Sequence, residues 1–127
     1  MGLSDKRVGA VVAVSDMGKA KKFYEGKLGL SGGEDRDDGG TTYSCAGETT
    51  IHVYPSPDNA GKSAGTLAAF DVEDCEGTVD ELAGNGVEFE QYGDPINTNQ
   101  KGIAELGGIK VAWFKDPDGN TIGIAEE

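Results

Sequence analysis

The chain has 127 residues and a formal net charge of −12, with 23 acidic side chains against 11 basic ones. That length fits one domain, large enough to bury roughly two-thirds of its unfolded surface. The acidity excludes a nucleic-acid groove or an anionic bilayer surface, which need clustered Lys and Arg, and leaves room for a cationic ligand or a high-salt habitat beside the commoner solvated surface.

Asp5, Lys6 and Arg7 interrupt any early apolar run, so no signal peptide is expected. Lys6 also stands where a myristoylation motif wants Ser or Thr. Residues 8–16 (VGAVVAVSD) read as a first strand. An amphipathic helix follows, because Ala20, Phe23, Tyr24 and Leu28 recur at helical spacing. Ser15 or Asp16 can cap its start, and Gly29 can close it in a left-handed conformation. The acidic cluster from Glu34 to Asp38 reads as a loop rather than a binding patch. Thr42–Ala46 and Thr49–Tyr54 are expected to form a hairpin across a two-residue turn at Gly47-Glu48. Residues 55–61 (PSPDNAG) break strands and serve as a linker.

Residues 66–74 (TLAAFDVED) then repeat the opening, since both runs end in Val-x-Asp, Val14 matching Val72 and Asp16 matching Asp74. A second helix carries the stripe Cys75, Val79, Leu82 and Ala83 and stops at Gly86. Residues 93–108 are expected as a long connection with four glycines. Lys110–Lys115 and Asn120–Ala125 close the chain as a hairpin across Asp116-Pro117-Asp118-Gly119, a favourable turn sequence. The pattern is an α+β domain written as two βαβββ units. Module one spans about residues 7–55, the linker 55–64 and module two about 65–127. Cys45 and Cys75 are too few for a disulfide scaffold, and no apolar run reaches membrane-spanning length. A soluble, cytoplasmic protein is expected.

Two motifs carry a family resemblance. Val12-Ala13-Val14-Ser15-Asp16, continuing through Phe23-Tyr24 to Leu28-Gly29-Leu30, resembles the opening strand and helix of the vicinal oxygen chelate superfamily. That superfamily includes glyoxalase I, bleomycin-resistance proteins and extradiol dioxygenases. Ala112-Trp113-Phe114-Lys115-Asp116-Pro117-Asp118-Gly119-Asn120 resembles its closing hairpin. The resemblance implies paired modules whose mixed sheets curl into a cup, helices outside, and a homodimer. It implies no single reaction, because one fold hosts many functions.

In metal-binding relatives the first and last strands of each module supply four ligands, usually His, Glu or Gln. The resemblance puts the equivalent positions at Gly9, His52, Leu67 and Gly123. Glycine has no side-chain donor and leucine only hydrocarbon, and one imidazole cannot replace a divalent cation's hydration. A slip of one residue, to Ala10 or to Thr66 or Ala68, restores nothing. No metal and no cofactor is therefore expected, the remaining route to one being a displaced site of Cys45 and His52 shared across a dimer.

Strand alternation, with His52 turned inward, puts Thr50 and Tyr54 beside it, and the two-residue turn adds Tyr43 and Cys45. Val11, Ala13, Leu67, Ala69, Ala112, Phe114 and Thr121 complete the expected pocket, while Trp113 and Cys75 are assigned to the core. His52 has three readings: an ordinary strand histidine, a donor that orients a ligand, or a metal-free general base. Cys45 reads as a packing residue, with no carboxylate foreseen to complete a triad. The first functional expectation is metal-independent binding of a small apolar or cationic molecule, such as an antibiotic or metabolite. The alternative is a glyoxalase-related lyase or isomerase using His52 or an unforeseen metal, and a third reading is a non-catalytic interaction module.

Overall fold

The computed structural model describes residues 2–126. Its first half runs β1 (Ala10–Val14), α1 (Met17–Lys21), a π-helical turn (Lys22–Lys27), β2 (Glu34–Asp35), β3 (Thr41–Ser44) and β4 (Thr50–Pro55). The second half runs β5 (Thr66–Asp71), α2 (Cys75–Gly84), β6 (Ile103–Leu106), β7 (Ile109–Lys115) and β8 (Thr121–Glu126). Each half forms a four-stranded mixed sheet, in the orders β1-β4-β3-β2 and β5-β8-β7-β6. The opening strand of each half pairs in parallel with its closing strand, and the other pairings are antiparallel.

The helix starts repeat as the sequence does. Asp16 accepts from the Lys19 N–H and Asp74 from the Gly77 N–H, each satisfying a donor left free at a helix start. Gly29 and Gly86 follow the helices at φ +77° and +97°. The helix-facing sides of both sheets share one core. Val12, Val14, Tyr43, Ile51 and Val53 enter it from the first half, and Val79, Ala112, Phe114, Ile122 and Ile124 from the second. Phe114 sits between Phe23 and Phe89, with ring centroids 6.0 and 5.6 Å away.

Three expectations change. The first hairpin is not closed by two residues: Cys45 donates to the Thr49 carbonyl around a 3-10 turn at Ala46–Glu48. The register therefore pairs Tyr43 with Ile51 and Thr42 with His52. A one-residue shift moves every side chain of a strand to the other face, so Tyr43 lies in the core, not beside His52, and Cys45 packs against that core too. Secondly, the stretch expected as one long connection contains β6, which pairs with β7 across Gly107-Gly108, both at positive φ. The cluster from Glu34 to Asp38 likewise begins with a short strand, β2, on β3. Thirdly, β7 presents the opposite face: Ala112 and Phe114 are core, while Trp113 turns outward opposite Gly123 and meets Tyr92 edge-on at 5.6 Å. In the run Val-Ala-Trp-Phe both faces are apolar, so alternation alone leaves the choice open.

The β7–β8 turn ties the halves together. Asp116, 5% exposed, accepts from the Tyr24 hydroxyl (2.8 Å), from Asn120 Nδ2 (2.9 Å) and from the N–H groups of Asp118 and Asn120. Asn120 also donates to the Ala13 carbonyl on β1 and accepts from the Gly61 N–H in the linker. Asp118 accepts from Ser15, both main chain and hydroxyl. Gly61 has φ +67°, and a Cβ there would collide with the Asp118 carbonyl, so the linker can press against the turn only as glycine.

Removing the Asp116 carboxylate strands these donors. Asp116→Ala should cost about 3–5 kcal/mol, by analogy with breaking a buried charge network, and Tyr24→Phe about 1–2 kcal/mol, both read from denaturant midpoints. Burial first, then the charge and hydrogen bond of Asp116, push the Tyr24 phenol far above its ordinary range. Burial and Glu25 push Tyr43 upward in the same way. Groups raised by folding contribute fully below their unfolded pKa and lose that contribution above it. The denaturation midpoint should thus fall as pH rises past about 10, and less steeply in the double variant Tyr24→Phe, Tyr43→Phe.

Candidate functional site

The site lies on the faces of the two sheets turned away from the helices. In the first half this face carries Val11 and Ala13 of β1, Thr42 of β3, and Thr50, His52 and Tyr54 of β4, because their strand neighbours fill the core. In the second it carries Leu67 and Ala69 of β5, Trp113 of β7, and Thr121 and Gly123 of β8. Of the residues expected together, His52, Tyr54, Val11, Leu67, Ala69 and Thr121 do share it. Tyr43, Cys45, Ala112 and Phe114 do not.

His52 is held on three sides. Its ring stacks parallel to Tyr54 with centroids 5.9 Å apart. Nδ1 lies 2.8 Å from Thr42 Oγ1, and Nε2 lies 2.8 Å from Asp38 Oδ2. A carboxylate can only accept, so Nε2 carries the proton. In the neutral ring Nδ1 is then the acceptor, and the Thr42 hydroxyl donates to it. Arg36 Nε donates in turn to Thr42 Oγ1 at 3.1 Å. The hydrogen bond from His52, then that from the Gly40 N–H, holds the Asp38 carboxyl below its ordinary range.

Asp38 was the residue that sequence reasoning missed. Its loop is pinned by Asp35, which accepts from Thr41 Oγ1 and from Lys21 Nζ. The turn from Arg36 to Gly40 is closed by the Arg36 N–H on the Gly40 carbonyl. A Cβ on Gly40 would lie 2.5 Å from the Val53 carbonyl, so only glycine lets the turn lie against β4 and carry Asp38 over His52. The one legible signal was Asp-Asp-Gly-Gly as a turn ahead of the strand that pairs with the histidine strand.

Two cavities adjoin this face. One, about 500 Å³, lies at the seam between β1 and β5 and is lined by Val8, Gly9, Thr50, Leu67, Ala69 and Asp71, among others. The second, about 600 Å³, shares Val8, Gly9 and Thr50 with it and adds Lys6, Arg7, Glu34, Arg36 and Thr42. Two of the four metal-equivalent positions, Gly9 and Leu67, thus line the seam cleft. Gly123 lies under Trp113, whose Cδ1 would be 3.4 Å from a Cβ there. The fourth, His52, has both ring nitrogens engaged. Among the described residues no group of three or more His, Cys, Asp or Glu is arranged to hold a metal ion. Burial raises both cysteine thiols above their ordinary range, and within the chain Cys45 packs against the core while His52 lies on the other face of the sheet.

Comparison with known proteins agrees with the fold. The family model of the Glyoxalase/Bleomycin resistance protein/Dioxygenase superfamily matches residues 7–124. The uncharacterised protein YetH of Bacillus subtilis (strain 168) is 33% identical over 128 residues, covering 95% of this chain and 98% of YetH. The crystal structure of TnmS3, an antibiotic binding protein from Streptomyces sp. CB03234, superposes with a TM-score of 0.69 at 25% identity, covering 99% of this chain and 98% of that one. A glyoxalase/bleomycin resistance protein from Catenulispora acidiphila DSM 44928 gives 0.71 at 21% identity, with 95% and 97% covered.

The protonation pattern of His52 is testable directly. Nitrogen-edited NMR of the neutral ring should place the proton on Nε2 with slowed exchange, and Asp38→Ala should return that exchange to the rate of a free imidazole. A proton on Nδ1 in the native protein would refute the assignment.

Proposed function

The chain belongs to the Glyoxalase/Bleomycin resistance protein/Dioxygenase superfamily, and we propose that it is a cytoplasmic, homodimeric binding protein that takes a small apolar or cationic molecule without a metal. The observation that carries the reading is the seam cleft itself. Where metal-binding relatives would place ligands it presents the backbone of Gly9 and the hydrocarbon of Leu67, which is 38% exposed. Its volume of about 500 Å³ falls in the range of small-molecule sites. Its walls combine Val8, Leu67 and Ala69 with one carboxylate, Asp71, the composition that suits an apolar body bearing a positive charge. The net charge of −12 attracts such a ligand at long range. TnmS3, similar along nearly the whole chain, is described as antibiotic binding, which supports ligands of that size. A glyoxalase-type lyase or isomerase needs a metal held by several side chains, and a cleft that offers only the backbone of Gly9 and the hydrocarbon of Leu67 at those positions favours binding over it.

A thermal-shift screen over cationic and apolar antibiotics and metabolites should find stabilising compounds. A ligand at a hundred times its Kd adds about 2.7 kcal/mol of stability. Leu67→Glu should abolish that shift without lowering the Tm of the free protein, since Leu67 stands outside the core. Elemental analysis after loading with nickel or zinc and desalting should find metal well below one equivalent. A panel with no stabilising compound, or a stoichiometric ion, would overturn the reading.

A further inference from the structure

At the second cavity, which Thr42 and Arg36 line, begins an arrangement that ligand binding at the seam does not use. Thr42 Oγ1, His52 Nδ1, His52 Nε2 and Asp38 Oδ2 form a continuous line of hydrogen bonds, each 2.8 Å. We propose that Thr42, His52 and Asp38 are a hydroxyl–imidazole–carboxylate triad that hydrolyses small polar carboxylic esters through an acyl-Thr42 intermediate. The proposal is independent of whether the seam cleft binds a ligand.

The geometry meets the demands of the chemistry in order. A nucleophilic hydroxyl must donate to a base, and the base must be oriented by a third group. Thr42 and His52 are cross-strand partners in the β3–β4 register, so their side chains stand side by side on one face. Asp38 occupies Nε2, which leaves Nδ1 as the only nitrogen with a basic lone pair. Among the described residues that lone pair meets the Thr42 hydroxyl alone, so if His52 acts as a base, the proton it removes is that of Thr42. Arg36 Nε, 3.1 Å from Thr42 Oγ1, puts a permanent cation beside the oxygen that must become nucleophilic. Arg36 also pairs with Glu34 at 3.2 Å on the exposed side of the cavity. The reacting edge opens on the cavity of about 600 Å³, whose lining of Lys6, Arg7, Glu34, Arg36 and Thr50 is polar and suits a small polar ester. Thr42 and Arg36 both line that cavity, so the nucleophilic oxygen borders a space a substrate can enter; His52, outside that lining, keeps 20% of its side chain accessible.

The step balances. Thr42 Oγ forms a bond to the acyl carbon while its proton passes to His52 Nδ1. The carbon–oxygen bond to the leaving alcohol breaks, and that alcohol takes the proton from Nδ1. Water then attacks the acyl-Thr42 carbon and gives a proton to Nδ1. The acid departs and Thr42 Oγ recovers its proton. Asp38 stays ionised throughout and stabilises the imidazolium, the role its carboxylate can fill from Nε2.

The test uses the whole chain, a fluorophosphonate probe and p-nitrophenyl acetate. The probe forms a phosphorus–oxygen bond to an activated hydroxyl and releases fluoride, the proton leaving through Nδ1. Peptide mapping should find the adduct on Thr42. Thr42→Ser should keep both labelling and ester hydrolysis. Thr42→Val should lose both. His52→Ala should lower hydrolysis about 10²-fold or more, the usual worth of a general base. The native rate should rise with pH as one group loses its proton, a limb absent from His52→Ala. Circular dichroism and Tm establish that each variant is folded, with Thr42→Ser as the conservative check if Thr42→Val is not. No adduct on Thr42, an adduct on another residue only, or hydrolysis unchanged in Thr42→Val or Thr42→Ala would overturn the proposal.

Discussion

The architecture depends on one buried carboxylate. Asp116 is surrounded by the Tyr24 hydroxyl, the Asn120 amide and two main-chain N–H groups. A buried charge is costly unless donors replace its water, so this group is tolerable only when the turn, the first helix and Asn120 are in place together. Asn120 carries the constraint outward to the Ala13 carbonyl of β1 and the N–H of Gly61. Ser15 and Asp118 add a second link between the same two segments. The two halves are therefore docked by directional bonds at one end of β1, while the aromatic contacts of Phe114 give non-directional cohesion beneath. The spacing of β1 and β5, and with it the seam cleft, follows from where this turn holds β1.

That dependence explains what was legible in the sequence. The second helix, both Asp caps, both glycine stops and the closing hairpin rest on local rules, and the structure keeps them, while the first helix is α-helical only over Met17–Lys21 and continues as a π-helical turn. The Val-x-Asp repeat gave the two-unit plan because each Asp caps the helix that follows it. The errors fall where a local rule leaves a binary choice. A loop one way or another at residues 45–49 sets the β3–β4 register, and an apolar Val-Ala-Trp-Phe run does not say which face is inside. Gly123 settles the second choice: opposite a glycine, the outer face has room for an indole. The strand β6 carried a legible mark, Gly-Gly between Leu106 and Ile109, a typical hairpin pair.

The candidate site was partly readable for the same reason. The family resemblance let Gly9, Leu67 and Gly123 be named in advance as positions of interest, and Gly9 and Leu67 do line the seam cleft. The company of His52 could not be named so. Asp38 lies 14 residues away along the chain and reaches the imidazole only because Gly40 lets a turn lie on the β4 backbone. Such a contact combines tertiary packing with a surface loop, and neither periodicity nor composition reports it. The sequence reading, a loop rather than a binding patch, missed that Asp38 within it reaches the imidazole and that Asp35, though exposed, accepts from Thr41 and Lys21.

The register of a single hairpin therefore decides the chemistry open to this protein. With a two-residue turn, His52 would face a phenol, Tyr43, with a thiol, Cys45, on the same face. The longer turn hands the phenol to the core, where its hydroxyl donates to Glu25 at 2.7 Å, and turns the thiol toward the core as well. It leaves Thr42 opposite the imidazole. An aliphatic hydroxyl is a poor acid in water, far poorer than a phenol. It becomes useful only when a base is already aligned on it and a cation lies close to its oxygen. Those are the two partners Thr42 has, His52 at 2.8 Å and Arg36 at 3.1 Å. A histidine that has given one nitrogen to a carboxylate has a single basic lone pair, and here it is aimed at the Thr42 hydroxyl.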